Sequence, residues 1–114
     1  MSQITITEAP THWARIYMAG NLADAERVCR EHCLEVGLCV TLTPTQYIYT
    51  GGQEAGFVVG LMNYPRFPSA PEEIDAQAAA LGMRLMVALC QLSFSVDSPS
   101  GTSWFSRRTQ ELFA

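Results

Sequence analysis

The pattern of apolar and polar residues predicts strands over much of the chain. Residues 12–19 alternate, which is typical of a strand with one buried face. The predicted buried face carries Ala14, Ile16 and Met18, and the other face carries Trp13, Arg15 and Tyr17. Further strands are predicted over residues 4–7, 38–43, 46–50, 57–62, 92–96 and 102–107, with Pro44 as an interruption and Gly51-Gly52 as a turn.

Two stretches have the 3.6-residue periodicity of helices that lie on a sheet. The first begins after Asn21, a good N-cap, and ends at Gly37. Its predicted apolar stripe is Leu22, Ala25, Cys29, Cys33 and Val36. The second opens with the capping-box pattern Ser69-Ala70-Pro71-Glu72 and extends to Cys90 or Gln91. Its first stripe is Ile74, Ala78, Leu81, Leu85 and Leu89, and a second stripe of Met83, Met86, Val87 and Cys90 is expected to face another subunit.

This order of elements predicts an α+β fold with a mostly antiparallel sheet and two helices packed on it. A length of 114 residues suits a single small domain that spans residues 1–114. Apolar residues make up 48% of the chain and charged residues 16%, which is more apolar surface than so small a domain can bury alone. We therefore expect a homo-oligomer.

The charge and the hydropathy exclude several classes of protein. A net charge of −4 argues against a general binder of DNA or RNA duplexes, which normally carries a basic face. No run of 18 apolar residues is present, and residues 1–10 lack the features of a signal peptide. We therefore expect a cytoplasmic protein with no membrane partner, and four reduced cysteines.

Two segments combine aromatic residues with arginine. In the first, Pro65 and Pro68 stiffen a loop that carries Tyr64, Arg66 and Phe67. Such a loop suits a flat, anionic ligand, although it could equally be a rigid connection whose aromatic rings cap the core. The second segment, Trp104-Phe105-Ser106-Arg107-Arg108, repeats the combination and could equally be an edge strand protected by charge.

No pattern in the sequence predicts a metal site or a reaction centre. Cys29, His32 and Cys33 share part of a helix, but a zinc site needs a fourth ligand, and both cysteines fall on the predicted core stripe. No nucleophile or acid–base pair has a recognised catalytic spacing, and the glycine pairs match no nucleotide fingerprint. The sequence therefore predicts a protein that is not an enzyme and holds neither a metal nor a cofactor.

Four segments together resemble a family of short bacteriophage proteins, the anti-Thoeris proteins that sequester a defence signal. They are Gly37-Leu38-Cys39-Val40-Thr41, Tyr47-Ile48-Tyr49-Thr50-Gly51-Gly52, the run from Gly60 to Pro68, and Trp104-Phe105-Ser106-Arg107-Arg108. The resemblance implies compact α+β protomers that pair and hold cyclic ADP-ribose isomers between them without degrading them. It also implies that some members form hexamers with separate sites for cyclic oligonucleotides. Arginines that bind ligand in that family would fall on Arg27 or Arg30 and on Arg107 or Arg108.

The resulting hypothesis is a phage anti-defence protein that sequesters a cyclic nucleotide as a dimer or hexamer. In it, aromatic rings stack on the base, arginines hold phosphate, and an asparagine reads the ribose or the base edge. The predicted ligand-binding residues are Arg27, Arg30, Asn63, Tyr64, Arg66, Phe67, Trp104, Arg107 and Arg108. We expect this site between subunits, with the loop of residues 63–67 from one chain and the final strand from another. The alternative is an inhibitor of the anti-restriction or anti-CRISPR type, which binds a protein and takes no small molecule.

Overall fold

Five antiparallel strands and two helices make up the part of the chain that the computed structural model describes, residues 3–108. They are β1 (Trp13–Ala19), α1 (Leu22–Val36), β2 (Thr41–Tyr49), β3 (Gly52–Met62), α2 (Pro71–Ala88), β4 (Ser93–Ser98) and β5 (Gly101–Ser106). The strands form one sheet in the order β2-β3-β1-β4-β5, and every neighbouring pair is antiparallel. The predicted α+β fold is confirmed.

The core lies between the two helices and one face of the sheet. From the strands it takes Ala14, Ile16, Met18, Phe57, Val59, Leu61, Phe94 and Val96. From the helices it takes Ala25, Val28, Cys29, Ile74, Ala78, Leu81, Leu85 and Met86. The core residues of each strand alternate with residues on the opposite face, as the pleat requires. The described residues leave that second face open to solvent, and we call it the open face.

Two strand predictions were wrong. Residues 4–7 form no strand, because the chain has no regular secondary structure from residue 3 to residue 12. Pro44 does not interrupt the middle strand, since β2 runs through it from Thr41 to Tyr49. β2 is an edge strand that pairs with β3 alone, and an edge is where a proline without an N–H is tolerated.

The helices begin where the sequence predicted, but their buried faces differ from the prediction. On α1, Val28 and His32 are buried, whereas Cys33 is half-buried and Val36 is exposed. On α2, Met86 of the second apolar stripe is buried within the protomer, and Met83 and Val87 are exposed. α2 ends at Ala88, two residues before Cys90, which takes a left-handed φ of 57°. Neither helix of the described chain has the length and apolarity needed to cross a membrane.

Candidate functional site

The open face carries aromatic and polar side chains in place of the aliphatic residues of the core face. Tyr17 lies on β1, and the strand register places it directly opposite Ser95 on β4. Ser95 is in turn opposite Trp104 on β5. On the other side of β1, Tyr47 of β2 is opposite Glu54 of β3. These five side chains come from five different strands, and the sheet order alone brings them together.

A groove of about 440 Å³ runs over one end of this open face. The residues that line it include Tyr17, Ala19, Tyr47, Glu54, Gln91, Ser95, Trp104 and Arg108. Among the described residues that line the groove, Glu54 is acidic and Arg108 is basic. The described lining therefore combines aromatic surfaces and hydroxyl groups with an acidic and a basic side chain, and the volume of the groove falls within the range of ligand pockets.

Tyr47 is held rigidly at one side of the groove. Its hydroxyl donates a hydrogen bond of 2.7 Å to the Phe57 carbonyl oxygen, and burial raises the pKa of the phenol. Its ring lies over Gly56, where an added Cβ would come within 2.6 Å of the ring and would also meet the Met18 carbonyl oxygen. Glycine at position 56 is therefore a requirement of this packing, and it fixes the Tyr47 ring beside Glu54.

Tyr17 is held at the centre of the face by a charged pair. The Arg15 guanidinium donates two hydrogen bonds to the Asp97 carboxylate, at 3.1 Å from Nε and 2.8 Å from Nη2. The Tyr17 hydroxyl donates to the same carboxylate at 3.2 Å. The guanidinium also lies 4.3 Å from the centre of the Trp13 ring. Burial and the neighbouring Asp97 raise the pKa of Tyr17, so its phenol stays protonated and turned toward Asp97.

The predicted loop site is real as a surface feature, but it lies apart from the groove. Tyr64 and Phe67 have ring centroids 5.5 Å apart and line a second cavity of about 260 Å³. Asn63 is buried and already engaged, since it donates to the Pro10 carbonyl at 2.8 Å and accepts from the Ser69 N–H at 2.8 Å. These two hydrogen bonds connect the start of the loop to its end at Ser69 and to the segment before β1 at Pro10. Arg66 lines neither of these two cavities.

The predicted arginines are spread over the molecule. Arg27 is exposed on α1, where its Nη2 lies 3.9 Å from Oδ1 of Asp24 and its Nη1 lies 3.7 Å from Oε1 of Glu31. Arg30 lines a shallow cavity beside α1. Arg107 donates to the Gln91 carbonyl at 2.9 Å and to the Met86 carbonyl at 3.5 Å, so it caps the end of α2. Arg108 lines the groove, as does Trp104. No finding tests whether any of these residues binds a ligand.

Among the described residues, the two cysteines and the single histidine of α1 show no arrangement for chemistry. Cys29 is buried, and burial raises the pKa of its thiol to about 11, which keeps it protonated and unreactive. All four cysteines carry free thiols. Within residues 3–108, the structure brings no three potential metal ligands together.

Sequence reasoning missed three residues of the groove as site residues: Tyr17, Tyr47 and Glu54. The strand pattern correctly placed Tyr17 opposite the core face of β1, and it placed Tyr47 on a predicted strand. The signal that could have found them is the presence of aromatic side chains on strand faces that do not enter the core. Glu54 had no such signal, because a single acidic residue after a glycine turn is ordinary.

The chain shares its fold with a phage SAM lyase. A structure of the phage SAM lyase in its apo state matches with a TM-score of 0.68 and 18% identity, over 96% of this chain and 100% of that chain. A structure of phage SAM lyase in complex with S-methyl-5′-thioadenosine matches with a TM-score of 0.64 and 16% identity, over the same shares of the two chains. No protein-family model and no curated protein matches the sequence. At these identities the similarity establishes the fold.

These structures bear on two of the predictions. The prediction that the chain is not an enzyme is wrong, because the solved structures that share its fold belong to a lyase. Both neighbours are phage proteins, and one of them holds S-methyl-5′-thioadenosine, a small molecule related to adenosine. Both neighbours are SAM lyases and not anti-Thoeris proteins, so they support the fold and leave the anti-Thoeris resemblance a prediction.

Proposed function

We propose that this chain binds S-adenosylmethionine (SAM) in the groove of the open face and cleaves it, releasing S-methyl-5′-thioadenosine. Glu54 carries the proposal: its carboxylate lines a groove of about 440 Å³ between aromatic side chains. SAM combines a planar base with a sulfonium and an ammonium group. A carboxylate beside aromatic surfaces complements both parts, because it attracts the cations while the rings contact the base.

The proposed reaction needs no acid–base pair. When the bond between sulfur and the γ-carbon of the methionyl chain breaks, its electron pair moves to sulfur. The leaving group is then a neutral thioether, which needs no proton. The carboxylate oxygen of the same SAM molecule can form the new bond to that carbon and close a lactone, so all atoms and charges balance without water or a cofactor. Such a step needs the substrate folded and held, which is catalysis by orientation.

Glu54 has a defined place in this scheme. The sulfonium is positively charged in the bound substrate and becomes neutral as the bond breaks. A carboxylate beside it therefore stabilises bound SAM, whereas the fixed Tyr47 ring and the strand backbone set the position of the methionyl chain. We expect Glu54→Gln to weaken SAM binding and to raise KM more than it lowers kcat.

The test is incubation of the purified protein with SAM and mass spectrometry of the products. We expect S-methyl-5′-thioadenosine together with homoserine lactone or the homoserine that the lactone yields on hydrolysis. Glu54→Gln should lower kcat/KM by roughly tenfold or more, on the scale of one charged contact. Glu72→Gln is the matched control, since Glu72 is an exposed acid on α2 outside the groove. Intact SAM after prolonged incubation with folded protein rejects the proposal.

A phage protein with this activity would act against the host. SAM is the methyl donor of cellular methyltransferases and a cofactor that some defence enzymes require. Its destruction would deprive those enzymes of it, so we place the proposed activity in counter-defence.

Sequestration of a cyclic nucleotide is the second candidate function. It is favoured by one observation: Trp104 and Arg108, both predicted as ligand residues, line the same groove as Glu54. An aromatic ring beside a guanidinium suits a base with a phosphate. Calorimetric titration with cyclic ADP-ribose isomers and cyclic trinucleotides separates the two functions. Tight binding with recovery of the intact ligand after denaturation supports sequestration, and turnover of SAM without such binding supports cleavage.

A further inference from the structure

The open face has a row of three side chains that run across adjacent strands. Tyr17 on β1 is directly opposite Ser95 on β4, and Ser95 is directly opposite Trp104 on β5. All three line the groove. Two large rings therefore flank one small hydroxyl group, on strands that are fixed in register by the sheet.

The spacing of this row matches a planar base. Neighbouring strands lie about 4.8 Å apart, so the backbones of Tyr17 and Trp104 are about 10 Å apart. A flat ring in contact with walls on both sides needs about 7–8 Å between them, at ordinary carbon–carbon contact distances. The Tyr17 hydroxyl reaches Asp97, two residues along β4 from Ser95, at 3.2 Å, so its ring inclines from β1 over β4, the side of β1 on which β5 lies. The spacing of the strands therefore allows one base between these rings.

The Tyr17 wall is held in place from outside the row. Asp97 accepts the Tyr17 hydroxyl, and two hydrogen bonds from Arg15 fix Asp97 in turn. Because the hydroxyl is engaged with Asp97, Tyr17 presents its ring, and not its phenol proton, to the groove. Arg15 and Asp97 are therefore positioning residues that act through Tyr17.

We infer that Tyr17, Ser95 and Trp104 form an adenine slot, in which the base stacks between the two rings and the Ser95 hydroxyl contacts the base edge. This inference rests on the proposed function for the identity of the ligand, and it adds the direction in which the ligand lies. The base is over β1, β4 and β5, and the cationic methionyl part extends over β3 toward Glu54.

The experiment compares two probes by calorimetry: S-methyl-5′-thioadenosine and 5-methylthioribose, which is the same molecule without its base. We expect the wild-type chain to bind the first at least tenfold more tightly than the second, because base stacking contributes this much or more. Trp104→Ala should remove most of that preference, and Ser95→Leu, which fills the floor of the slot, should do the same. A merely structural effect would weaken the binding of both probes by the same factor and leave the preference for the base-containing probe unchanged.

Two further variants complete the design. Thr43→Leu is the matched control, since Thr43 is an exposed open-face residue on β2 that does not line the groove. It should bind both probes as the wild type does. Asp97→Asn should reduce the preference for the base by a smaller factor than Trp104→Ala, because it loosens one wall and leaves both rings present.

The outcomes separate this inference from the proposed function. If the wild type prefers the base-containing probe and neither Ser95→Leu nor Trp104→Ala alters the preference, the slot is wrong while SAM cleavage can stand. If the preference depends on the slot but SAM is not cleaved, the slot stands and the proposed reaction is wrong. If the wild type binds neither probe, the slot is overturned, and the incubation with SAM alone decides whether cleavage stands.

Discussion

Among the described residues, His32 is the one whose hydrogen-bonding groups the fold satisfies least. It is buried between the helices, its Nε2 has no hydrogen-bond partner, and its Nδ1 lies 3.4 Å from Nη1 of Arg84. Burial and the Arg84 charge lower the pKa of His32 below its ordinary value of 6.5. At a pH between the lowered pKa and 6.5, His32 is therefore protonated mainly in the unfolded chain and neutral in the folded chain. Folding stability is full above pH 6.5 and falls as the pH drops through that value toward the lowered pKa.

This linkage gives a prediction for His32→Leu. Urea unfolding between pH 7.5 and pH 5.5 should show the wild type losing at most about 1.4 kcal/mol of unfolding free energy per pH unit. His32→Leu should have a clearly flatter profile, because it removes the group that takes up the proton. Glu35→Gln is the control: the Arg84 pair lowers the pKa of Glu35 below 4.5, so this acid titrates at lower pH. If the unfolding free energy of wild type and of His32→Leu changes equally with pH, protonation of His32 is not the cause of the pH dependence.

At the scale of elements, the sequence predicted strand faces better than helix faces. Strict alternation allows one choice of buried face, so Ala14, Ile16 and Met18 were assigned correctly to the core. On a helix a stripe can be rotated by one residue at little cost in apolar content. The end of α1 packs on α2 as well as on the sheet, which buries Val28 and His32 and leaves Val36 exposed. The position of α2 determines which side of α1 is buried, and the periodicity of α1 alone carries no information about that position.

Gly82 shows how the packing of one element on another can reverse a helix propensity. In most helix interiors, glycine to alanine stabilises by about 1 kcal/mol. Here a Cβ would lie 2.7 Å from Cζ of Phe94, whose ring stacks on Phe105 at 4.6 Å between centroids. We expect Gly82→Ala to lower the free energy of unfolding by about 1–3 kcal/mol, the cost of overpacking a core. Chemical denaturation measures it.

A double-mutant cycle identifies the ring as the cause of this loss. Phe94→Leu removes the atoms that the new methyl group would meet, so Gly82→Ala should cost less in that background. The control is Ala76→Gly on the exposed face of α2, which should cost about 1 kcal/mol in either background. A loss from Gly82→Ala that is unchanged by Phe94→Leu would assign the effect to the backbone.

At the scale of the whole molecule, the groove could not be predicted from local sequence. Tyr17, Glu54 and Trp104 are far apart in the chain and meet because β1 lies between β3 and β4 in the sheet. Periodicity predicts strands but not their order. The prediction relied on aromatic residues and arginines that are adjacent in sequence, and one of these, Arg107, caps α2. Trp104 was identified because it is both a strand residue and part of such a cluster.

Self-association remains a prediction, and the structure changes the face that we expect it to use. Of the second stripe of α2, Met86 is buried in the protomer, which leaves Met83 and Val87 as its exposed large side chains. The open face exposes Met62, Tyr49 and Trp104 and has no helix over it in the described chain. A bare sheet face with several exposed apolar side chains favours association. A second copy on this face would also shield the groove from water, which strengthens charge contacts to a ligand.

Matched charge substitutions on the two faces decide the question. Met62 and Val87 are exposed to 50% and 59%, so an arginine at either site can be solvated in the monomer without disturbing the core. We expect light scattering at micromolar concentration to show an oligomer for the wild type and for Val87→Arg, and a mass near 12.6 kDa for Met62→Arg. The reverse result would restore the α2 stripe as the interface. A monomeric wild type would reject self-association, and the groove would then have to hold its ligand within one chain.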